Sequence, residues 1–222
     1  MNIPLIVNEF LKKVKENDTI AIGGFGGESD FIDEMVKILL INKKEVVFVP
    51  TTSTQAKQLH NLGQKTISLN NKEIDVAIEF VDQVDQYYNF AKKRTTSFIR
   101  DKMIAQSALN LILATQDYNV VDDINCDIYV EISTFAWQRT ILNLQSYGLA
   151  RIVMDTSENI IKTEIGHYLA RVTLDKNISL EDFEYHVRSI PGVFETGLFM
   201  GLADTIFVYK ENENKVIVKS RK

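Results

Sequence analysis

Apolar and polar positions alternate along this 222-residue chain with two different periods. From about Ile3 to Lys15, the residues Leu5, Ile6, Phe10, Leu11 and Val14 recur at the spacing of a helix with one buried face. Asp18 to Ile22 is a short apolar run that predicts a strand. It ends in Gly23-Gly24-Phe25-Gly26-Gly27, and Ser29-Asp30 then opens a helix running to about Ile41. Val46 to Val49 predicts a second strand, closed by Pro50, with a polar turn and a helix over Ser53–Leu62 behind it. Val76–Val81 is a further strand with Asp82 at its end, Phe98 to about Asn110 a helix, and Leu111–Ala114 another strand. Strands alternating with helices predict a parallel α/β sheet covered on both faces. Ligands of such sheets sit at the carboxyl ends of the strands.

After about Asn125 the order changes. Ile128–Ile132 predicts a strand, Phe135–Tyr147 a helix and Arg151–Asp155 a strand. A strand near Ile160–Ile165 follows, with its apolar pattern recurring at Leu169–Val172, then a helix over Ser179–Ser189 and a strand over Val193–Phe199. This is the β-α-β-β-α-β order of a split or ferredoxin-like unit. Thr205–Tyr209 and Val216–Lys219 add two strands joined by a polar turn, Glu211 to Asn214. The expected architecture is a Rossmann-like parallel-sheet main domain, residues 1–126 and 200–222, with a smaller ferredoxin-like α+β domain, residues 127–199, inserted before the C-terminal strands.

Composition narrows the function. Apolar content of 45% and charged content of 25% are ordinary for a globular protein. A net charge of −5 gives no reason to expect nucleic acid or an anionic membrane as partner, and an anionic substrate would need a local cationic pocket. Cys126 is the single cysteine, so no internal disulfide and no thiolate zinc cluster can form. No apolar run approaches the ~20 residues of a membrane span, and Met1–Phe10 lacks a cationic leader. These features predict a cytoplasmic protein. His60, His167 and His186 are scattered without metal-ligand spacing, and no metal site is expected.

Four segments carry candidate chemistry. The glycine loop, with Gly24, Gly26 and Gly27, allows backbone N–H groups to approach an anion at a helix start; it serves equally as a tight connection. Thr51, Thr52 and Ser53 follow a strand and open a helix, so their hydroxyls suit sugar or phosphate oxygens, or helix capping. Asp82 and Asp85 stand three residues apart beyond a buried strand, a placement suited to hydroxyl recognition and proton shuttling. Lys92, Lys93 and Arg94, with Arg100 beyond them, form a cationic stretch that could supply an anion pocket.

These segments share a resemblance. Ser189 to Ala203 reads Ser-Ile-Pro-Gly-Val-Phe-Glu-Thr-Gly-Leu-Phe-Met-Gly-Leu-Ala and closely resembles the terminal motif of type A ribose-5-phosphate isomerases. The run Ile20–Asp33 resembles that family's first phosphate loop, Pro50–Ser53 its Pro-Thr-Ser segment, Asp82–Gln86 its Asp-Gly-Ala-Asp-Glu motif, and Arg100–Ala105 its Arg-Glu-Lys-Ile-Ile-Ala helix. The resemblance implies interconversion of ribose 5-phosphate and ribulose 5-phosphate through an enediolate. It implies no cofactor, a sugar phosphate as partner, and a homodimer or homotetramer. Asp101 would be the base, Lys92 or Lys93 the oxyanion partner, and Asp82 and Asp85 the hydroxyl holders.

The departures are as informative. The loop's usual Ser/Thr donors are absent. Glu28 follows, which as a solvated residue suits a helix start but turned inward would repel a phosphate by several kcal/mol at ~5 Å and an effective dielectric of ~20. Glycines are replaced by Lys93, Arg94 and Thr95, and the distance from the Asp82 motif to the lysine is about three residues shorter than usual. Thr115–Asn119 lacks a family lysine. Asp101 stands where the family has glutamate, one C–C bond or ~1.5 Å shorter, and a misplacement of about 1 Å costs on the order of a hundredfold in rate. A slow isomerase is expected. The alternatives are a non-catalytic sugar-phosphate-binding or regulatory homologue, and a relative of CoA transferases, whose glycine loop Gly23–Gly26 resembles.

Overall fold

The computed structural model describes residues 1–25 and 27–221. Helix α1 (Ile3–Leu11), capped by Asn2, leads to β1 (Thr19–Ile22), α2 (Glu28–Ile41), β2 (Val47–Pro50), α3 (Ser53–Asn61) and β3 (Val76–Phe80). Two short strands, β4 (Gln83–Val84) and β5 (Phe90–Ala91), precede α4 (Phe98–Ser107) and β6 (Leu111–Gln116). The second half holds β7 (Ile128–Ile132), α5 (Trp137–Leu144), β8 (Gly148–Ile152), β9 (Tyr168–Leu174), α6 (Leu180–Val187), β10 (Val193–Thr196), β11 (Leu198–Phe199), β12 (Thr205–Lys210) and β13 (Lys215–Ser220).

The main sheet has the order β13-β12-β6-β3-β1-β2. Its first five strands in sequence are mutually parallel, and β13 returns antiparallel to β12. The central strands are predominantly apolar because both faces are covered. Ile20, Ile22, Val76, Ile78 and Phe80 face α1 and α2. Ala21, Ala77, Leu111 and Leu113 face the other way, toward Ile104 and Ala105 of α4. Side chains alternate along a strand, so Glu79, sharing the parity of Ala77, is aimed at α4.

The second sheet has the order β10-β7-β9-β8 with every neighbour antiparallel, the ferredoxin-like arrangement. Ile128, Val130, Ile132, Ala170 and Val172 pack there against Leu144 of α5 and Phe183 of α6. Three details depart from the sequence pattern. Strand β8 covers Gly148–Ile152 rather than Arg151–Asp155. Helix α5 starts at Trp137 rather than Phe135, and its end tightens into a 3₁₀ turn over Gln145–Tyr147. Ile160–Ile165 forms only isolated bridges, while the strand itself is β9. Asp155 gathers the amides of Ser157 and Asn159 into a turn, and Gly166 adopts a left-handed φ of 89°; together they break the extended run.

Two of the contacts that tie the layers together bear on the site. Lys102 of α4 is buried and donates to Glu184 of α6 at 2.9 Å, Glu195 of β10 at 2.8 Å and the Leu198 carbonyl at 2.8 Å. A three-stranded ribbon, β11-β5-β4, continues into a hydrogen bond from the Lys92 N–H to the Gly197 carbonyl at 2.8 Å. A Cβ at position 197 would lie 2.3 Å from the Lys92 carbonyl oxygen and 2.8 Å from the Phe98 ring, so only glycine permits this approach. The Ser189–Ala203 motif therefore builds the wall that places Lys92. No described helix is long and apolar enough to cross a membrane.

Candidate active site

At the carboxyl end of β3, three ionisable side chains meet out of contact with solvent. Glu79 comes from the strand, Lys92 from the segment after β5, and Asp101 from the first turn of α4. The Lys92 ammonium donates to Asp101 Oδ2 at 2.6 Å and to Glu79 Oε2. Ser97 caps α4, which fixes the turn carrying Asp101. Thr95 Oγ1 donates to Asp101 Oδ2 at 2.6 Å, and the Gly24 N–H reaches Asp101 Oδ1 at 3.3 Å. The Gly24 carbonyl accepts from Lys92 at 3.3 Å. Gly23 is pressed so closely on Glu79 that a Cβ there would lie 1.8 Å from Oε2.

Burial sets the charge state. It pushes the Glu79 carboxyl up to about 8; Lys92 opposes that rise, and the negative charges of Asp101 and Glu28 add to it. For Lys92, burial alone favours the neutral amine, but the facing charges of Asp101 and Glu79 outweigh it and hold the ammonium above its ordinary value. Near neutral pH the Glu79 carboxyl therefore holds a proton while Lys92 remains an ammonium. Giving up one of three charges is what a low dielectric demands of a dry site.

Asp101 and Lys92 thus lie in direct contact. Asp82 stands nearby: its Oδ2 accepts the Lys93 N–H at 2.6 Å, and it lines a crevice of about 80 Å³ with Arg94, Phe25, Thr115 and Gln116. Asp85 is turned elsewhere. Its carboxylate accepts from the Tyr87 and Asn89 amides and from the Asn89 side chain at 2.8–2.9 Å, shaping the β4–β5 turn. Lys93 and Arg94 are partly or fully exposed, while Arg100 is held by Glu164 at 3.1 Å.

The hydroxyl segment is occupied by the chain itself. Thr51 Oγ1 donates to the Ile22 carbonyl, Thr52 Oγ1 caps α3 through the Gln55 N–H at 3.0 Å, and the Ser53 N–H donates to Glu164 at 2.8 Å. These three residues, with Arg100 and Glu164, line a groove of about 370 Å³ that does not include the buried trio. In the glycine loop, Gly26 lies outside the described residues. Glu28 is buried, not solvated. Its Oε2 accepts from the Gly27 N–H at 2.9 Å and the Phe25 N–H at 3.2 Å.

Glu79 is the residue that sequence reasoning misses. Two signals were available: a lone carboxylate inside the apolar run Val76–Val81, and the three-residue deficit between the acidic motif and Lys92. Starting the acidic motif at Glu79 rather than Asp82 removes that deficit, with Glu79 in its first acidic position and Asp82 in its second. An exchange then becomes visible. The strand carries glutamate where the family motif has aspartate, and the helix carries aspartate where it has glutamate. Among the described residues, no three His, Cys, Asp or Glu side chains are grouped as metal ligands would be. His167 pairs with buried Glu131 at 3.0 Å, within the second layer.

Comparison with known proteins follows the same line. The family model described as Ribose 5-phosphate isomerase A (phosphoriboisomerase A) matches residues 47–213. The ribose-5-phosphate isomerase A of Prochlorococcus marinus (strain NATL1A) is 32% identical over 195 residues, covering 84% of this chain and 82% of that protein. That of Staphylococcus aureus (strain COL) is 24% identical over 219 residues, covering 97% and 96%. Among solved structures, a D-ribose-5-phosphate isomerase in complex with phospho-erythronic acid superposes with a TM-score of 0.89 at 24% identity, covering 100% of both chains. The ribose 5-phosphate isomerase A of Methanocaldococcus jannaschii gives 0.88 at 20% identity, covering 99% and 98%.

Proposed function

The chain belongs to the ribose 5-phosphate isomerase A family, and on that premise we propose that it interconverts ribose 5-phosphate and ribulose 5-phosphate through an enediolate. The observation that carries the reading is a buried ammonium held between two carboxylates at the carboxyl end of a parallel strand. The reaction needs a carboxylate to lift the proton from the carbon next to the carbonyl, and a cation where the oxyanion develops. By the resemblance Asp101 stands at the position of the family's base, and Lys92 stabilises the oxyanion. Asp82 holds sugar hydroxyls. Gly24, Gly27, Thr51, Thr52, Ser53, Lys93 and Arg94 are proposed for the sugar and its phosphate, the last two because they are the cations of the 92–94 stretch left outside the buried trio.

The trio is closed over by Gly23 and Gly24, so substrate must displace Gly24 from Asp101 and Lys92. That exchange, and the short arm of Asp101, favour a slow enzyme. Residues 127–199 are proposed as a separate unit of the chain, self-association as a homodimer or homotetramer is proposed on the family alone, and a cytoplasmic setting on the single cysteine. The test of the activity is ketose formation from ribose 5-phosphate by purified protein, with Lys92→Ala as control. Turnover above that control is expected; its absence at high enzyme concentration leaves a sugar-phosphate-binding homologue as the reading.

A further inference from the structure

We propose that Glu79, rather than Asp101, is the carboxylate that carries the proton between the two sugar carbons, with Asp101 positioning Lys92 and Gly24 around it. This assignment rests on the isomerase reading above and deepens it.

The geometry separates the two acids. Both oxygens of Asp101 are engaged: Oδ2 by Lys92 and Thr95 at 2.6 Å each, Oδ1 by the Gly24 N–H at 3.3 Å. Donors on both oxygens hold this carboxylate in place between Lys92, Thr95 and Gly24. Glu79 Oε2 rests on Lys92, but Oε1 is buried with no donor at all, and it is the only carboxylate oxygen so placed among the described residues. Glutamate also reaches one C–C bond, ~1.5 Å, further than aspartate. The strand-for-helix exchange of aspartate and glutamate thus moves the long, unengaged acid from α4 to β3. The facing charged groups are Lys92, Asp101 of α4 and Glu28 of α2. Their sum with burial leaves the acid near 8, close to working pH, where a proton carrier is most effective.

In the forward step, ionised Glu79 takes the hydrogen from C2 of the open-chain aldose. The C–H electron pair becomes the C1–C2 double bond, and the carbonyl π pair moves onto O1 against Lys92. The C2 hydroxyl proton passes to O1, and Glu79 returns its proton to C1, giving the ketose with no net proton gained or lost.

Release of deuterium from C2 of C2-deuterated ribose 5-phosphate, counted as label carried to C1 of the ketose together with label lost to solvent, tests this. Glu79→Gln should lower the release by about 10²–10⁴-fold, the usual contribution of a positioned base, with sugar-phosphate affinity by calorimetry nearly unchanged. Asp101→Asn should keep measurable release. In wild-type protein kcat/KM should rise with pH through a midpoint near 8, and Asp101→Asn should move that limb to lower pH, since it removes a negative charge beside Glu79. Release retained in Glu79→Gln but lost in Asp101→Asn overturns the assignment. So does a wild-type limb that falls through pH 8, a result independent of how the variants fold. Wild-type protein that moves no deuterium off C2 overturns the isomerase reading along with it.

Discussion

The Glu28 carboxylate accepts the Gly27 N–H at 2.9 Å, and so occupies the start of α2 with the chain's own anion. Backbone amides at a helix start attract whichever negative group reaches them. Here an internal carboxylate competes with any substrate phosphate. Glu28→Ser should free the Phe25 and Gly27 amides and remove the like charge. A repulsion of ~3 kcal/mol at 5 Å and a dielectric of 20 sets the upper scale, so KM for ribose 5-phosphate should fall by roughly tenfold or more with kcat changed less. A KM that rises would mean that phosphate binds away from this loop.

Lys92→Met should remove activity and destabilise the fold together. The ammonium is the counter-charge of two fully buried acids, and breaking a buried pair from one side costs about 3–5 kcal/mol. Urea midpoints report the loss. It should be larger at pH 9 than at pH 6, because at pH 6 the Glu79 carboxyl is already protonated.

Glu79 also predicts a pH dependence of stability. Its folded value, about 8, lies above its ordinary 4.5. Between these limits the folded state keeps a proton that the unfolded chain has released, so stability falls as pH rises from 4.5 to 8 and levels off beyond. Lys92 is raised as well, but its contribution is fully present below its ordinary value and is lost only in strong alkali, outside this window. Glu79→Gln should flatten the slope of unfolding free energy between pH 5 and 8. An equal slope in wild type and variant would place the titration on another group.

Gly197→Ala should act on the site from the far side of the ribbon. The added methyl must push on the Lys92 carbonyl and the Phe98 ring, and overpacking of this kind costs about 1–3 kcal/mol. Because Lys92 itself is displaced, kcat should drop along with the melting temperature. A stability loss without a kcat change would mean that the wall yields elsewhere.

The sheet was legible because its strands are short apolar runs ended by glycine, proline or aspartate, as at Ile22, Val49 and Val81. The second layer was legible in order but not in detail: the Asp155 turn and the left-handed Gly166 cut short a run that alternation alone extends to Ile165. The pairing of Lys92 with Asp101 was accessible through a resemblance, with both residues in one segment. Glu79 was not, because a carboxylate within Val76–Val81 acquires meaning only when parity and α4 bring Lys92 against it. Glu28 escaped for a related reason: whether a helix-start carboxylate faces water or its own loop depends on the backbone at Phe25 and Gly27, which composition does not encode.

Lys102, adjacent to Asp101, points its ammonium into Glu184, Glu195 and the Leu198 carbonyl. One helical step therefore separates a residue that grips the appended layer from one that grips Lys92. Any tilt of that layer is levered straight into the acid–ammonium trio, so a shortened chain without residues 127–199 would lose the brace that keeps these three buried groups in register.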